Sequence, residues 1–350
     1  MRLSRRAAVT VIVLVAVAVV VGGTIAGNAQ TPPPSLAPLS AEQLVANLIT
    51  TAETSSPPSF SGEASSSVNL GLPQIPAGLG ATTGSGLTDL LTGDETYKVW
   101  RSPDGVRIAN LLPAGERDLV ANRTDAWFWD SRTQTAKHLT YDATAMQAAP
   151  EAQQQTGAPP DPSTLAAAIV RRVAPFAGLS VSSTQWVAGE PTYTLVLTPT
   201  SSTTLVGSVR VALDANNWVP LQLEVFAKGS DSAAIRMGFT SISFGPVDAS
   251  TFDFTPPAGA DVTTAALPMS GAHRSDDNRT HDAGPLTFGS GFDTVLAYRL
   301  RSPLPPEASA LLPYTGPLAS AIVADTSSGT WVLAGAVPVS DLQATVAKLP

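Results

Sequence analysis

The sequence predicts an α+β protein: a long antiparallel sheet of about eleven short strands, curled so that helices cover its concave face, followed by a small α+β C-terminal domain. Three observations predict it. Between residues 59 and 257 short extended runs alternate with turn signals such as SPDG, PAGE, NRTD and SRTQ, the pattern of an antiparallel meander. Several runs, YTLVLTP and LQLEVF among them, are apolar on both faces, so much of the sheet needs cover on both sides. Only two convincing helices are available in the body to cover so many strands. A sheet that curls around its own concave face resolves that imbalance.

Taken in order, MRLSRR is a basic flank and AAVTVIVLVAVAVVVGGTI carries no charge. Residues 1–30 are therefore read as a signal peptide or N-terminal membrane anchor, with the small residues GNA before Gln30 suited to cleavage. Basic residues ahead of the apolar run send the body out of the cytoplasm, secreted or anchored to the cell membrane by this segment. Residues 31–38, TPPPSLAP, form a proline-rich spacer. A domain over residues 39–262 opens with the helix LSAEQLVANLITTAE, where Ser40 and Gln43 make a capping box and Leu44, Leu48 and Ala52 recur at helical spacing.

The first meander follows as SFSGEASSSVNL, TYKVWRS, VRIANLL, RDLVAN, AWFWDS and AKHLTY. A second helix, PSTLAAAIVRRVAPFAGL, carries Leu165, Ile169 and Val173 on one side. The second meander runs TQWVAG, PTYTLVLTP, LVGSVRVALD, VPLQLEVFAKG, AAIRMGFTSISFG and TFDFTPP. Residues 263–285 are a polar linker without periodicity. The small C-terminal domain, residues 286–350, has strands in FDTVLAYRL, SAIVAD and TWVLAGAV and a last helix, SDLQATVAKL, with Ser340 and Gln343 as a second capping box.

Composition excludes several functions. With 28 acidic against 20 basic residues the net charge is -8, which repels phosphate backbones, so no nucleic-acid partner is expected. There is no cysteine, hence no disulfide, thiolate metal site or cysteine nucleophile. His273 and His281, with Asp276, Asp277 and Asp282, have metal-compatible chemistry but lie in the polar linker, where nothing fixes a geometry. No metal or cofactor is expected. No G-x-S-x-G or S-x-x-K is present, so no catalytic residue is assigned and the chain is read as non-enzymatic. GLGATTGSG, residues 78–86, lacks the lysine of a phosphate loop and reads as a surface loop. LPYTG, residues 312–316, lacks the apolar span and basic tail of a sorting signal.

The residues from Tyr97 to Thr140, YKVWRSPDGVRIANLLPAGERDLVANRTDAWFWDSRTQTAKHLT, resemble the shared strand block of the LolA/LolB/RseB-like superfamily. FDFTPPAGADV resembles that family's F-x-F-x-P-P-x-G-x-x-V ending, and the similarity spans roughly Leu39 to Val262 in order. Its members are exported lipoprotein carriers, lipid-binding envelope proteins and a sigma-regulating sensor. The resemblance implies a half-open antiparallel β-barrel with helices over its concave face, and a cavity for a lipid or acylated ligand. Val106 and Ile108 match inward-facing positions of the carriers. Carriers also have an arginine just before the proline closing the first of these strands, and here that position is Ser102, with Arg101 one residue earlier.

Alternation along AWFWDS puts Trp127 and Trp129 on one face and Phe128 on the other. The expected cavity wall is Val106, Ile108, Leu119, Trp127 and Trp129, with Phe128 on the outer side; a fully packed core is the alternative. The leading function is burial of a lipid or lipidated ligand at the cell envelope, as carrier or sensor. The other is an RseB-like regulatory module holding a membrane-bound anti-sigma factor or another envelope protein.

Overall fold

A computed structural model describes residues 32–53, 58–71, 95–112, 114–140, 170–182, 184–266, 285–300, 304 and 309–350. The apolar N-terminal run, the 78–86 loop, Leu165, Ile169 and the histidines and aspartates between 273 and 282 lie outside the described residues. Helix α1 (Ala41–Glu53) starts where the capping box requires. The Ser40 N–H donates to Gln43 Oε1 at 2.8 Å, and the Gln43 N–H donates back to Ser40 Oγ at 3.2 Å. Leu44 and Leu48, one turn apart, are fully buried.

The described residues before 267 form thirteen strands: β1 (Phe60–Val68), β2 (Glu95–Ser102), β3 (Gly105–Leu112), β4 (Gly115–Ala121), β5 (Asp125–Asp130), β6 (Thr135–Thr140), β7 (Ala177–Val181), β8 (Gln185–Val187), β9 (Glu190–Pro199), β10 (Val206–Asp214), β11 (Pro220–Ala227), β12 (Ala233–Phe244) and β13 (Asp261–Ala266). One ladder runs β1-β12-β11-β10-β9-β7, with β8 also on β9; the other runs β13-β6-β5-β4-β3-β2. Strands β1 and β2 lie side by side, joining the two into one broad sheet that does not close.

Three elements depart from the pattern. The second helix ends earlier than its sequence suggested: residues 170–173 are helical, Ala174–Phe176 is a 3₁₀ turn, and β7 takes over. Pro175 lacks the N–H that a helix would need, and Leu179 and Val181 then alternate with Gly178 and Ser180 at strand period. TFDFTPP is not a strand. The Asp248 side chain accepts from the Ser250 N–H, opening a 3₁₀ turn (Ala249–Phe252), and the chain continues extended but unpaired through two prolines that cannot donate to a ladder. The true last strand, β13, pairs parallel with β6, so the sheet is mixed rather than wholly antiparallel.

Among the described residues five strands make the C-terminal sheet: β14 (Leu286–Phe288), β15 (Val295–Arg299), β16 (Tyr314–Thr315), β17 (Ser320–Thr326) and β18 (Gly329–Gly335), in the order β14-β15-β18-β17-β16. Helix α2 (Val339–Val346) closes it, burying Leu342 against Trp331 and Leu333. The second capping box does not form. Pro338 is the N-cap, so Ser340 already sits in the first turn and makes no cap bond. The LPYTG residues are absorbed into the fold: Tyr314 and Thr315 pair with β17, and the Tyr314 hydroxyl donates to the Leu70 carbonyl.

This sheet is docked on the first. The Thr204 hydroxyl lies 3.1 and 2.9 Å from the carbonyls of Phe292 and Ala336, and the Leu205 N–H donates to Ala336. Phe292 and Leu318 belong to the same apolar cluster as α1 and strands β9 to β11. The spacer is docked as well. Pro32, Pro34 and Ala37 offer their carbonyls to Trp186 Nε1, Thr184 Oγ1 and the Tyr193 hydroxyl, while Pro34 is buried and Leu36 and Leu39 pack on the core.

Candidate binding face of the sheet

Register assigns each side chain of the sheet to a face. Val99 pairs with Ile108, Ile108 with Leu119, and Leu119 with Phe128, so these four point one way, towards what is called here the inner face. On the other ladder the same face carries Leu179, Leu197, Val209, Val225 and Ile235, register partners in turn from β7 to β12. Helix α1 covers this second group. At the other end Val99, Ile108 and Leu119 share a cluster with Phe60, Phe239, Val219 and Leu221. Inner-face residues of β2–β4 thus meet residues of β1, β11 and β12, as they must where a sheet curls on itself.

The five expected wall residues do not share a wall. Val106, Ile108 and Leu119 are on the inner face, Ile108 and Leu119 almost fully buried and Val106 partly so. Phe128 joins them, contrary to its expected outer placement. Trp127 and Trp129 take the opposite, outer face, because β5 pairs with β4 through Leu119↔Phe128 and Val120↔Trp127. Alternation within AWFWDS was legible; which face is inner depends on register with β4, which one strand does not disclose.

On the outer face the tryptophans are a platform for the closing segment. Phe252 packs over Gly105, where a Cβ would come within 2.8 Å of its ring, and its carbonyl accepts from Asn122 Nδ2. Two residues on, Phe254 lies 5.6 Å from the Trp127 ring and 6.3 Å from that of Trp129. The F-x-F spacing on an extended chain aims both rings at the sheet. They strap the chain across β3–β5, after which the Asp261 N–H donates to Gln134 and β13 runs beside β6. His138 stacks on Trp127 at 3.9 Å, and its Nε2 lies 3.5 Å from Asp125 Oδ1.

The inner face also holds a polar row that the sequence reading missed. Tyr97 pairs with Asn110, Asn110 with Arg117, and Arg117 with Asp130. The Tyr97 hydroxyl and Asn110 Nδ2 both donate to Glu95 Oε2 at 2.7 Å, and Arg117 Nε donates to Asp130 Oδ2 at 3.0 Å. Burial and the Glu95 charge push the Tyr97 hydroxyl above the ordinary phenol range, keeping it a donor. Burial alone would raise the Asp130 carboxyl; hydrogen bonds from Arg117 and the N–H groups of Arg132 and Thr133 bring it below the usual range. Asn110 Oδ1 is buried with no hydrogen-bond partner among the described residues, and the equally buried Ser66 Oγ faces the Tyr97 hydroxyl. The row was illegible because its members are spread from residue 66 to residue 130 and meet only through register.

Arg101 stands opposite Val106 and so shares the inner face, whereas Ser102 accepts from the Asp104 N–H in the β2–β3 turn. Phe176, Thr200, Ser201, Ser290, Phe292 and Asp293 line a pocket of about 160 Å³ at the junction of the two sheets, away from the expected wall. Among the described residues no group of three or more metal-ligating side chains is assembled, and no helix is long and apolar enough to cross a membrane.

No family model matches the chain, and no match was found among curated proteins. Solved structures of similar fold include chains of MucB and of a LolA superfamily protein. A chain of the Pseudomonas aeruginosa MucA/MucB complex is 19% identical with a TM-score of 0.46, over 87% of this chain and 96% of that one. MucB in complex with MucA(peri) is 20% identical with a TM-score of 0.43, over 87% and 96%. LolA superfamily protein NE2245 from Nitrosomonas europaea is 8% identical with a TM-score of 0.23, over 62% and 99%. What MucB and NE2245 bind belongs to those proteins.

Proposed function

We propose that this chain is a non-enzymatic, extracytoplasmic binding protein that takes a lipid or acylated ligand against the inner face of its open sheet. One observation carries the reading: Val106 and Phe128 stand partly buried on the inner face of a sheet that does not close, at the margin of the apolar cluster formed by Val99, Ile108 and Leu119. The N-terminal apolar run, with its basic flank, supplies the export or membrane association. The strand-block resemblance to the LolA/LolB/RseB-like superfamily agrees with it. Burying about ten methylenes of an acyl chain would contribute roughly 8 kcal/mol before the cost of ordering the ligand.

Within that face Val106 and Phe128, both partly buried, are the proposed contacts, while Ile108 and Leu119 are core beside them. Trp127 and Trp129 belong to the strap. The test is titration of the full chain, purified from an exporting host, with a fluorescent acyl probe. Saturable binding that Val106→Glu weakens is the expected result. A probe that shows no saturation, or binds Val106→Glu as well as wild type, sinks the reading. Ile108→Glu is unsuitable, because a charge placed in that cluster would unfold the chain before it reported on a ligand.

A second reading is a regulatory module that holds a membrane-bound anti-sigma factor or another envelope protein. The docking of the C-terminal sheet through Thr204, Phe292 and Leu318 favours it, since it builds one surface from two units. Cross-linking in the native envelope that recovers a single membrane protein, without saturable acyl binding, would put this reading first.

A further inference from the structure

We propose that the polar row on the inner face is a subsite for a neutral, polyhydroxylated group, such as the sugar or polyol headgroup of a lipid whose chains lie on the apolar face beside it. The inference rests on the ligand-binding reading of that face and names the class of ligand. The row borders the apolar row directly: along β3, Asn110 follows Ile108 on the same side, and along β4, Arg117 precedes Leu119. A ligand lying across both would place a polar end and an apolar end two residues, about 7 Å, apart along the strands.

The chemistry of the row selects the ligand. Glu95 already takes two hydrogen bonds on one oxygen, Asp130 takes Arg117 and two backbone N–H groups, and Asn110 Oδ1 stands buried and unsatisfied. Ser66, 1% exposed, adds a buried hydroxyl one strand away that faces the Tyr97 hydroxyl. An unsatisfied buried acceptor beside a hydroxyl is completed by a group that both donates and accepts, which a sugar hydroxyl does. An anionic headgroup is disfavoured. Within the row two carboxylates, Glu95 and Asp130, accompany one guanidinium, and Asp130 already engages Arg117; the other cations of the inner face, Arg101 opposite Val106 and Lys137 opposite Phe128, lie outside the row. The row is deepest at Ser66 and Glu95 and opens toward Arg117 and Asp130, whose side chains are 27% and 22% exposed, so a headgroup has a way in.

The experiment displaces the fluorescent acyl probe from the full chain with three competitors: a diglycosyl diacylglycerol, a phosphatidylglycerol of matched acyl chains, and the free disaccharide. The first should compete about tenfold better than the second, the difference that two neutral hydrogen bonds supply. Ser66→Ala and Asn110→Ala should each erase most of that preference while probe affinity stays at the wild-type level. Two substitutions guard against a fold defect in either one. Equal competition by the two lipids in the wild type overturns the proposal, as does a preference that survives both substitutions. The free disaccharide is also titrated directly by calorimetry. Heat that Asn110→Ala abolishes, in a chain that never binds the probe, keeps the sugar subsite and overturns the lipid reading. Absence of both probe binding and sugar heat overturns both.

Discussion

Removing the Phe252 ring should undo the strap across β3–β5. The side chain is 1% exposed, held over Gly105, with Asn122 hydrogen-bonded to its carbonyl. Truncating a buried phenylalanine to alanine costs about 3–5 kcal/mol from lost burial and the cavity left behind. That is a large share of the roughly 5–15 kcal/mol by which a folded domain is stable. At a urea dependence of about 3 kcal/mol per molar, the unfolding midpoint of Phe252→Ala should fall by about 1–1.7 M. The strap also places β13, so amides of β6 and β13 should exchange faster in the variant than those of β9 to β11, whose core does not touch it. Phe252→Leu, which keeps most of the volume, should lose less than about 1.5 kcal/mol. A midpoint shift below about 0.3 M for the alanine variant, or unchanged exchange in β6 and β13, would refute the strap.

Two smaller perturbations follow from other contacts. Ser40→Ala removes one half of the reciprocal cap on α1 and should cost about 1 kcal/mol, read from the same urea curves; a loss under about 0.3 kcal/mol would show that the helix is held by Leu44 and Leu48 alone. Asp130 has a folded pKa below its unfolded value of about 3.9, so its stabilisation is complete above that pH and is lost as pH falls through the lower folded value. Asp130→Asn should therefore be less stable than wild type by about 1 kcal/mol at pH 7, a discounted figure for a pair partly exposed to solvent, and the gap should close below about pH 4. A gap that stays constant down to pH 2 would mean that the carboxylate charge contributes nothing.

Local signals carried most of the elements. The capping box at Ser40 fixed the start of α1 because its partners are three residues apart, and the turn signals fixed the hairpins from β2 to β6 because each ladder there joins neighbours in the chain. The sequence misled in two ways. Locally, Pro338 took the cap of α2 two residues before Ser340. At long range, TFDFTPP looked like a strand because Phe252 and Phe254 alternate, although their partners are Gly105 and Trp127 rather than a ladder.

By itself the sequence determined that the chain is mainly short strands joined by turns, that no cysteine chemistry is open to it, and that several of its strands are apolar on both faces. Those properties depend on composition and on periods of two or four residues. Only the tertiary structure decided which apolar face is inner, that Trp127 and Trp129 support a strap while Phe128 turns inward, and that Ser66, Tyr97, Asn110 and Arg117 form one row. The physical reason is register. A shift of one residue between paired strands moves every side chain to the other face, and in this sheet pairings such as β1 with β12 and β6 with β13 join strands more than a hundred residues apart.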